Sequence, residues 1–100
     1  ALAQKEDARR AAAQSSADAE ERRANRHARR ALHGVLVAVR RLQRELQHVA
    51  REAEEADARQ LSDTLAREII AAELVERTGG RAELEAMTAR LLELLKQPPA

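Results

Sequence analysis

The strongest periodicity in the chain lies in residues 31–56, ALHGVLVAVRRLQRELQHVAREAEEA. Apolar residues recur there every seven positions, in two lines that are three residues apart. The first line is Leu32, Val39, Leu46 and Ala53, and the second is Val35, Leu42, Val49 and Ala56. This spacing is the a/d heptad pattern of a coiled-coil helix. Because one helix cannot bury its own apolar seam, the pattern predicts that other helices cover it.

Residues 35–39 lie in the middle of this seam and are apolar around nearly the whole helix, which predicts burial on more than one side. Two interpretations fit equally well: the centre of an oligomer interface, or the core of a bundle within one chain. Gly34 beside this run costs roughly 1 kcal/mol relative to Ala, and we interpret it as a close helix crossing or a kink. The predicted interface residues are Leu32, Val35, Leu36, Val39, Leu42, Leu46 and Val49.

The composition agrees with a helical fold. Hydrophobic residues make up 44% and charged residues 35% of the 100 positions, and there is no Phe, Tyr or Trp. A chain dominated by Ala, Leu, Glu and Arg is typical of long helices and coiled coils. We therefore predict an all-α protein with a thin core that Leu, Val, Ile and Ala must fill.

The heptad register fails after Ala56, because its continuation would place Gln60 and Asp63 in the seam. One interpretation is a stutter within a continuous helix. The other is a break near residues 55–62, with Asp57 or Ser62 capping a new helix. The sequence leaves both interpretations open.

A turn at residues 78–80 is predicted by Thr78-Gly79-Gly80, because glycine adopts the left-handed conformation that ends many helices. A short antiparallel helix should follow from Arg81 to Gln97, where Pro98-Pro99 would close it. We expect it to form a helical hairpin within residues 57–100, packed against Leu65, Ile69 and Leu74. The apolar residues of this short helix are Leu84, Met87, Leu91, Leu94 and Leu95.

The first 30 residues favour a helix but contain almost no large apolar side chain after Leu2. A narrow alanine seam could run along Ala17, Ala24, Ala28 and Ala31. We predict a single domain with a polar helical arm at 1–30, the heptad segment at 31–56 and the hairpin at 57–100.

A basic stripe is predicted on the side of the heptad helix opposite the seam. Its members lie within a band roughly 60° wide when each residue advances by about 100°. The stripe would be about 44 Å long, enough to follow a nucleic-acid backbone or an acidic protein surface. The alternative is an ordinary solvated face. The stripe consists of Arg22, Arg26, Arg29, His33, Arg40, Arg44 and Arg51.

The sequence contains few residues suited to catalysis or metal binding. Cysteine is absent, and His27, His33 and His48 lack the i, i+4 spacing that lets two imidazoles share a metal ion. Carboxylates such as Glu54 and Glu55 lie in strongly charged surroundings. We predict no catalytic residue, no metal, no cofactor and no small-molecule substrate.

The predicted function is a non-enzymatic oligomerisation or protein-protein interaction module, with a structural or adaptor role. Its partner would be a second copy of the chain or another helical protein. The alternative is a small regulator that binds nucleic acid or an acidic partner through the basic stripe from Arg22 to Arg51. The longest apolar run is too short to span a membrane. We expect a soluble chain and favour a cytoplasmic over a secreted location.

Overall fold

A computed structural model of the chain describes residues 2–96 and is all-α, as predicted. Its three helices are α1 (Leu2–Ala53), α2 (Ala56–Thr78) and α3 (Arg81–Lys96). The described part of the chain contains no strand. The expected end of the last helix at Gln97 and Pro98-Pro99 lies outside the described residues.

A two-residue break separates α1 from α2, so the interpretation as one continuous helix is wrong. Glu54 takes a positive φ of 53°, and Glu55 is extended at φ −82° and ψ 114°. Glu55 is the N-cap of α2, without a hydrogen bond from its side chain. The predicted caps are therefore wrong too. Asp57 lies in the first turn of α2, and Ser62 is buried within the helix.

Polar contacts fix the direction of α2 relative to α1. Gln43 Nε2 donates to Ser62 Oγ at 3.2 Å, near the start of α2. Arg29 donates to the carbonyl oxygens of Glu76 and Gly79, at the end of α2. Since the contacts move backwards along α1 as α2 advances, the two helices run in opposite directions. Ser62 is the seventh residue of α2, too far from its start to serve as a cap, and its buried hydroxyl contacts Gln43.

The third helix packs on both of the others, and more extensively on α1 than on α2. Arg81 Nη1, at its first residue, lies 3.4 Å from Glu21 Oε2 of α1. Arg90 donates to Glu68 of α2 at 2.6 and 2.7 Å through two nitrogens. Leu74, predicted to pack under α3, is instead exposed. α3 thus rests mainly on the long helix.

The core is formed by fully buried aliphatic residues from all three helices. Its largest members are Leu32, Leu36, Val39, Leu65, Leu84 and Leu91. On α1 the second heptad line is displaced by one residue, because Leu36 and Ala50 are buried while Val35 is half-buried and Val49 is exposed. Two helices flank α1 here, so its buried face turns toward α2 and widens beyond a two-helix seam.

Two glycines differ from their predicted roles. Gly79 is extended at φ −76° and ψ 148°, not left-handed, and its N–H donates to Val75 O at 2.7 Å. Its requirement is steric, because an added Cβ would lie 2.6 Å from that oxygen. Gly34 marks no close crossing, since nothing lies within 4 Å of where its Cβ would be.

The N-terminal part of α1 projects beyond the other two helices. Residues 2–18 are exposed throughout, a length of about 26 Å at 1.5 Å per residue. We call this segment the arm from here on; it is shorter than the arm of residues 1–30 predicted from the sequence. Of the expected alanine seam, Ala28 is buried and Ala24 half-buried, whereas Ala17 and Ala31 are exposed. Only Ala24 and Ala28 of the predicted seam are therefore covered, and both lie beyond the arm.

Candidate interaction surface

The seven predicted interface residues lie at the centre of the single chain. Leu32, Leu36 and Val39 have no exposed surface. Val35, Leu42 and Leu46 are partly buried and pack against the core. Val49 is the exception, with 42% of its surface exposed. Helices α2 and α3 therefore cover the seam within one chain, which is the second of the two interpretations that the sequence allowed.

Three residues of the basic stripe contact α2. The stripe therefore runs along the side of α1 next to α2, and not on a side that faces away from the packed helices. Arg29 donates from Nε to Glu76 O at 2.8 Å and from Nη2 to Gly79 O at 3.0 Å. His33 Nδ1 lies 2.9 Å from Glu76 Oε2. A fourth contact is looser: Arg40 Nη2 lies 3.7 Å from Glu73 Oε1.

The other four stripe residues face solvent. These are Arg22, Arg26, Arg44 and Arg51. The helical phase that collects the stripe places Glu45 and Glu52 on other sides of α1. No carboxylate of α1 therefore interrupts the stripe between its first and last members, and Glu73 and Glu76 of α2 offset part of its charge.

An open groove of about 490 Å³ lies where the stripe meets the end of α2. Its lining is mostly carbon, because the aliphatic stems of the long basic side chains form much of the wall. The groove is lined by Arg26, Arg29, Arg30, His33 and Glu76. Sequence reasoning missed Arg30, whose position next to Arg29 and one turn from Arg26 was the available signal.

Large aliphatic side chains are also exposed near this flank. Ile70 is 70% exposed, Leu74 is 54% exposed and Val37 is 42% exposed. Neither Ile70 nor Leu74 was singled out as a surface residue from the sequence, since their spacing alone does not separate a core position from an exposed one. The combination of cations and uncovered aliphatic surface makes this side of the molecule the candidate interaction surface.

The perturbed pKa values occur in ion pairs between or within helices. The pKa of Glu68 is lowered, chiefly because its carboxylate accepts hydrogen bonds from Arg90, whose own pKa is raised by the same contact. The pKa of Arg81 is raised, first by its hydrogen bond to Glu85 and then by the charges of Glu85 and Glu21. These shifts therefore arise from ion pairing between charged side chains.

Within residues 2–96, no three or more His, Asp or Glu side chains are grouped as a metal site would require. Over the same range, no helix combines the length and apolar content needed to cross a membrane. No protein-family model, curated protein or solved structure matches this chain.

Proposed function

We propose that this chain is a non-enzymatic helical interaction module that binds an anionic partner through the basic stripe. The observation that carries the proposal is the stripe itself, in which exposed arginines follow one side of α1 with no intervening carboxylate of that helix. The buried seam adds a second reason. Because α2 and α3 already cover Leu32, Leu36 and Val39, the outer surface is what a partner can reach.

The type of cation supports an anionic partner. Lys5 and Lys96 are the only lysines among the 18 basic side chains, so the stripe consists almost entirely of arginine. A guanidinium group presents a planar fork that pairs with carboxylate or phosphate through two hydrogen bonds. Arg29 and Arg40 contact α2, whereas Arg22, Arg26 and Arg44 are exposed to a partner. Arg44 makes one long contact, from Nε to Arg40 O at 3.5 Å.

The net charge of the chain is only +1, so the rest of the molecular surface is not as basic as the stripe. Attraction must therefore be local, and it must weaken as salt screens it over a Debye length of about 10 Å at 0.1 M. If the partner were attracted to the chain as a whole, its affinity would depend only on the number of positive charges. If it binds the stripe, its affinity depends on where those charges lie.

Binding to poly-L-glutamate, measured by fluorescence anisotropy across a salt series, tests the proposal. The stripe variant replaces Arg22, Arg26 and Arg44 with Gln. A matched control replaces Lys5, Arg9 and Arg10 of the arm with Gln, and so removes the same number of charges. We expect the stripe variant to lose about tenfold in affinity, and the control far less.

Two results would contradict the proposed function. The first is an absence of salt-sensitive binding by the native chain. The second is an equal loss in the stripe variant and the arm control, which would mean that poly-L-glutamate responds to charge wherever it lies.

We also propose that α2 and α3 form a helical hairpin, packed with coiled-coil character against α1. The Glu68–Arg90 contact supports this arrangement, because these residues lie at equal distances in sequence from Gly79. A double-mutant cycle with Glu68→Gln and Arg90→Gln, followed by urea unfolding, should give a favourable coupling free energy. Additive effects of the two substitutions would argue against a hairpin that keeps these residues together.

A further inference from the structure

The exposed aliphatic residues lie beside the ion pairs that join α1 to α2. Val37 is four residues after His33 and three before Arg40, both of which reach α2 on the outer flank. Residues three and four apart are neighbours on a helix surface. Val37 therefore lies on that flank, between the two contacts.

The corresponding position on α2 is Ile70. It is three residues before Glu73, the residue that Arg40 approaches, and four before Leu74. Because α1 and α2 are antiparallel, the pairs Gln43 with Ser62 and Arg29 with Glu76 place Val37 level with Ile70. Val37 and Ile70 thus lie at the same level on the outer sides of the two neighbouring helices.

The third helix leaves this outer side of α1 and α2 uncovered. Its ion pair with α2 is made at Glu68, a half-buried residue on the α3 side of that helix. Ile70 is 70% exposed and Leu74 is 54% exposed, as expected for residues on the side of α2 away from α3. Single exposed aliphatic residues are ordinary on a protein surface, but neighbouring ones on two helices form a patch.

Arginines lie on both sides of the patch. Arg26 and Arg30 lie on α1 in the adjoining groove, and Arg44 lies about two turns beyond Val37. On α2, Arg67 is three residues before Ile70, and Arg77 is three after Leu74; both are exposed. The patch therefore combines an aliphatic centre with cationic borders.

We propose that the anionic partner is an acidic amphipathic helix of another protein, which lies along the outer side of α1 and α2 over Val37, Ile70 and Leu74. This inference rests on the proposed function and specifies its partner. Apolar residues at i, i+3, i+4 and i+7 would cover the patch, while flanking carboxylates would meet the arginines. The distance from Arg26 to Arg44 along α1 fits a helix of about 18 residues.

A nucleic acid complements this surface less well. Its phosphates would pair with the arginines, but a duplex backbone has no apolar group to cover Ile70 and Leu74. The chain also has no aromatic residue on which an unpaired base could stack. An acidic helix satisfies both the charges and the aliphatic patch.

The test uses a synthetic peptide of about 18 residues, with leucines at helical spacing and glutamates elsewhere. A shuffled peptide of identical composition is the control ligand. The patch variant carries Ile70→Ser and Leu74→Ser, and the control variant carries Leu92→Ser on α3, where Leu92 is 41% exposed. Circular dichroism verifies that both variants remain folded, as exposed positions should allow.

We expect the native chain to bind the amphipathic peptide about tenfold more tightly than the shuffled one. The patch variant should lose that preference and keep its affinity for poly-L-glutamate, and the Leu92→Ser control should behave as the native chain. Equal affinity for the two peptides, or an unchanged preference in the patch variant, would overturn the inference while leaving the proposed function standing.

Two further outcomes separate the remaining alternatives. Tighter binding to a duplex oligonucleotide than to the amphipathic peptide, unaffected by the patch variant, would overturn the acidic helix in favour of nucleic acid. If neither poly-L-glutamate nor the peptide binds, the proposed function and this inference both fail.

Discussion

The two halves of α1 share a backbone conformation and differ in their surroundings. The arm, residues 2–18, is exposed along its whole length, whereas the segment from Ala28 to Ala50 contributes five buried residues to the core. Both halves contain several alanines together with arginine, and both favour a helix. The difference shows that helix propensity is sufficient to form the long helix, while large aliphatic residues determine where other helices pack on it.

The quantity that separates the halves is apolar area. Leu2 is the only large aliphatic residue of the arm, whereas the other half contributes Leu32, Leu36 and Val39 to the core. Burial stabilises by about 25 cal/mol per Å² of apolar surface, so alanine methyl groups contribute little. The arm has no row of large apolar side chains. Another helix that packed there would bury too little surface to offset its loss of conformational entropy.

The largest effect should come from Leu36→Asp. The substitution places an unpaired carboxylate in the fully buried centre of the core, at a cost of more than about 4 kcal/mol. We expect the chain to lose its cooperative thermal transition, as followed by circular dichroism. Ala12→Asp makes the same charge change on the arm and should leave the transition nearly unmoved, and comparable losses would remove the distinction between the halves.

A smaller loss should follow Gly79→Val. A Cβ at this position would lie 2.6 Å from Val75 O and 2.9 Å from Val75 Cγ1, so the end of α2 must shift. We expect a loss of about 1–3 kcal/mol in urea unfolding. Gly80→Ser is the control, because its Cβ would meet only Glu83 Oε1 at 4.0 Å and serine is a favourable N-cap.

Gly34→Ala should stabilise the chain by up to about 1 kcal/mol, since Gly34 lies within α1 with open space around it. The reverse change on the arm, Ala12→Gly, should leave the global melting temperature unaltered and only speed local amide exchange. A fall in global stability with Ala12→Gly would show that the arm folds in one unit with the core.

The smallest effect concerns pH. The lowered pKa of Glu68 means that its contact with Arg90 stabilises the fold fully above the ordinary value of 4.5 and progressively less as pH falls through the lowered pKa. Native and Glu68→Gln chains should therefore differ in stability near neutral pH and converge in acid. A constant difference, measured by urea unfolding at each pH, would exclude this contact as the cause.

Several features of the fold were accessible from the sequence because they depend on local chemistry. High helix propensity and a composition dominated by Ala, Leu, Glu and Arg predicted an all-α chain, and Gly79-Gly80 located the end of α2 at Thr78. The break before α2 was less accessible. Glu54 and Glu55 are not typical turn residues, and the positive φ of Glu54 has no sequence signal comparable to glycine.

Periodicity alone could not predict which helices contact the seam and the basic stripe. A heptad pattern requires that Leu32 and Val39 be covered, but it does not say whether the covering helix belongs to the same chain. Similarly, a helical phase groups Arg29 with Arg26 without showing that α2 will bring its carbonyl oxygens to Arg29 alone. Both answers depend on long-range contacts.

The arm also determines how the molecule moves through water. The extents of 78 × 21 × 14 Å give a radius of gyration of 20.6 Å, compared with about 13 Å for a globular chain of 100 residues. Such a rod experiences more friction than a sphere of equal mass, so the 11.1 kDa monomer should elute early from a size-exclusion column. Early elution is therefore the expected signature of one elongated molecule, and a weight determined independently of shape, by sedimentation equilibrium, is the measure of its stoichiometry.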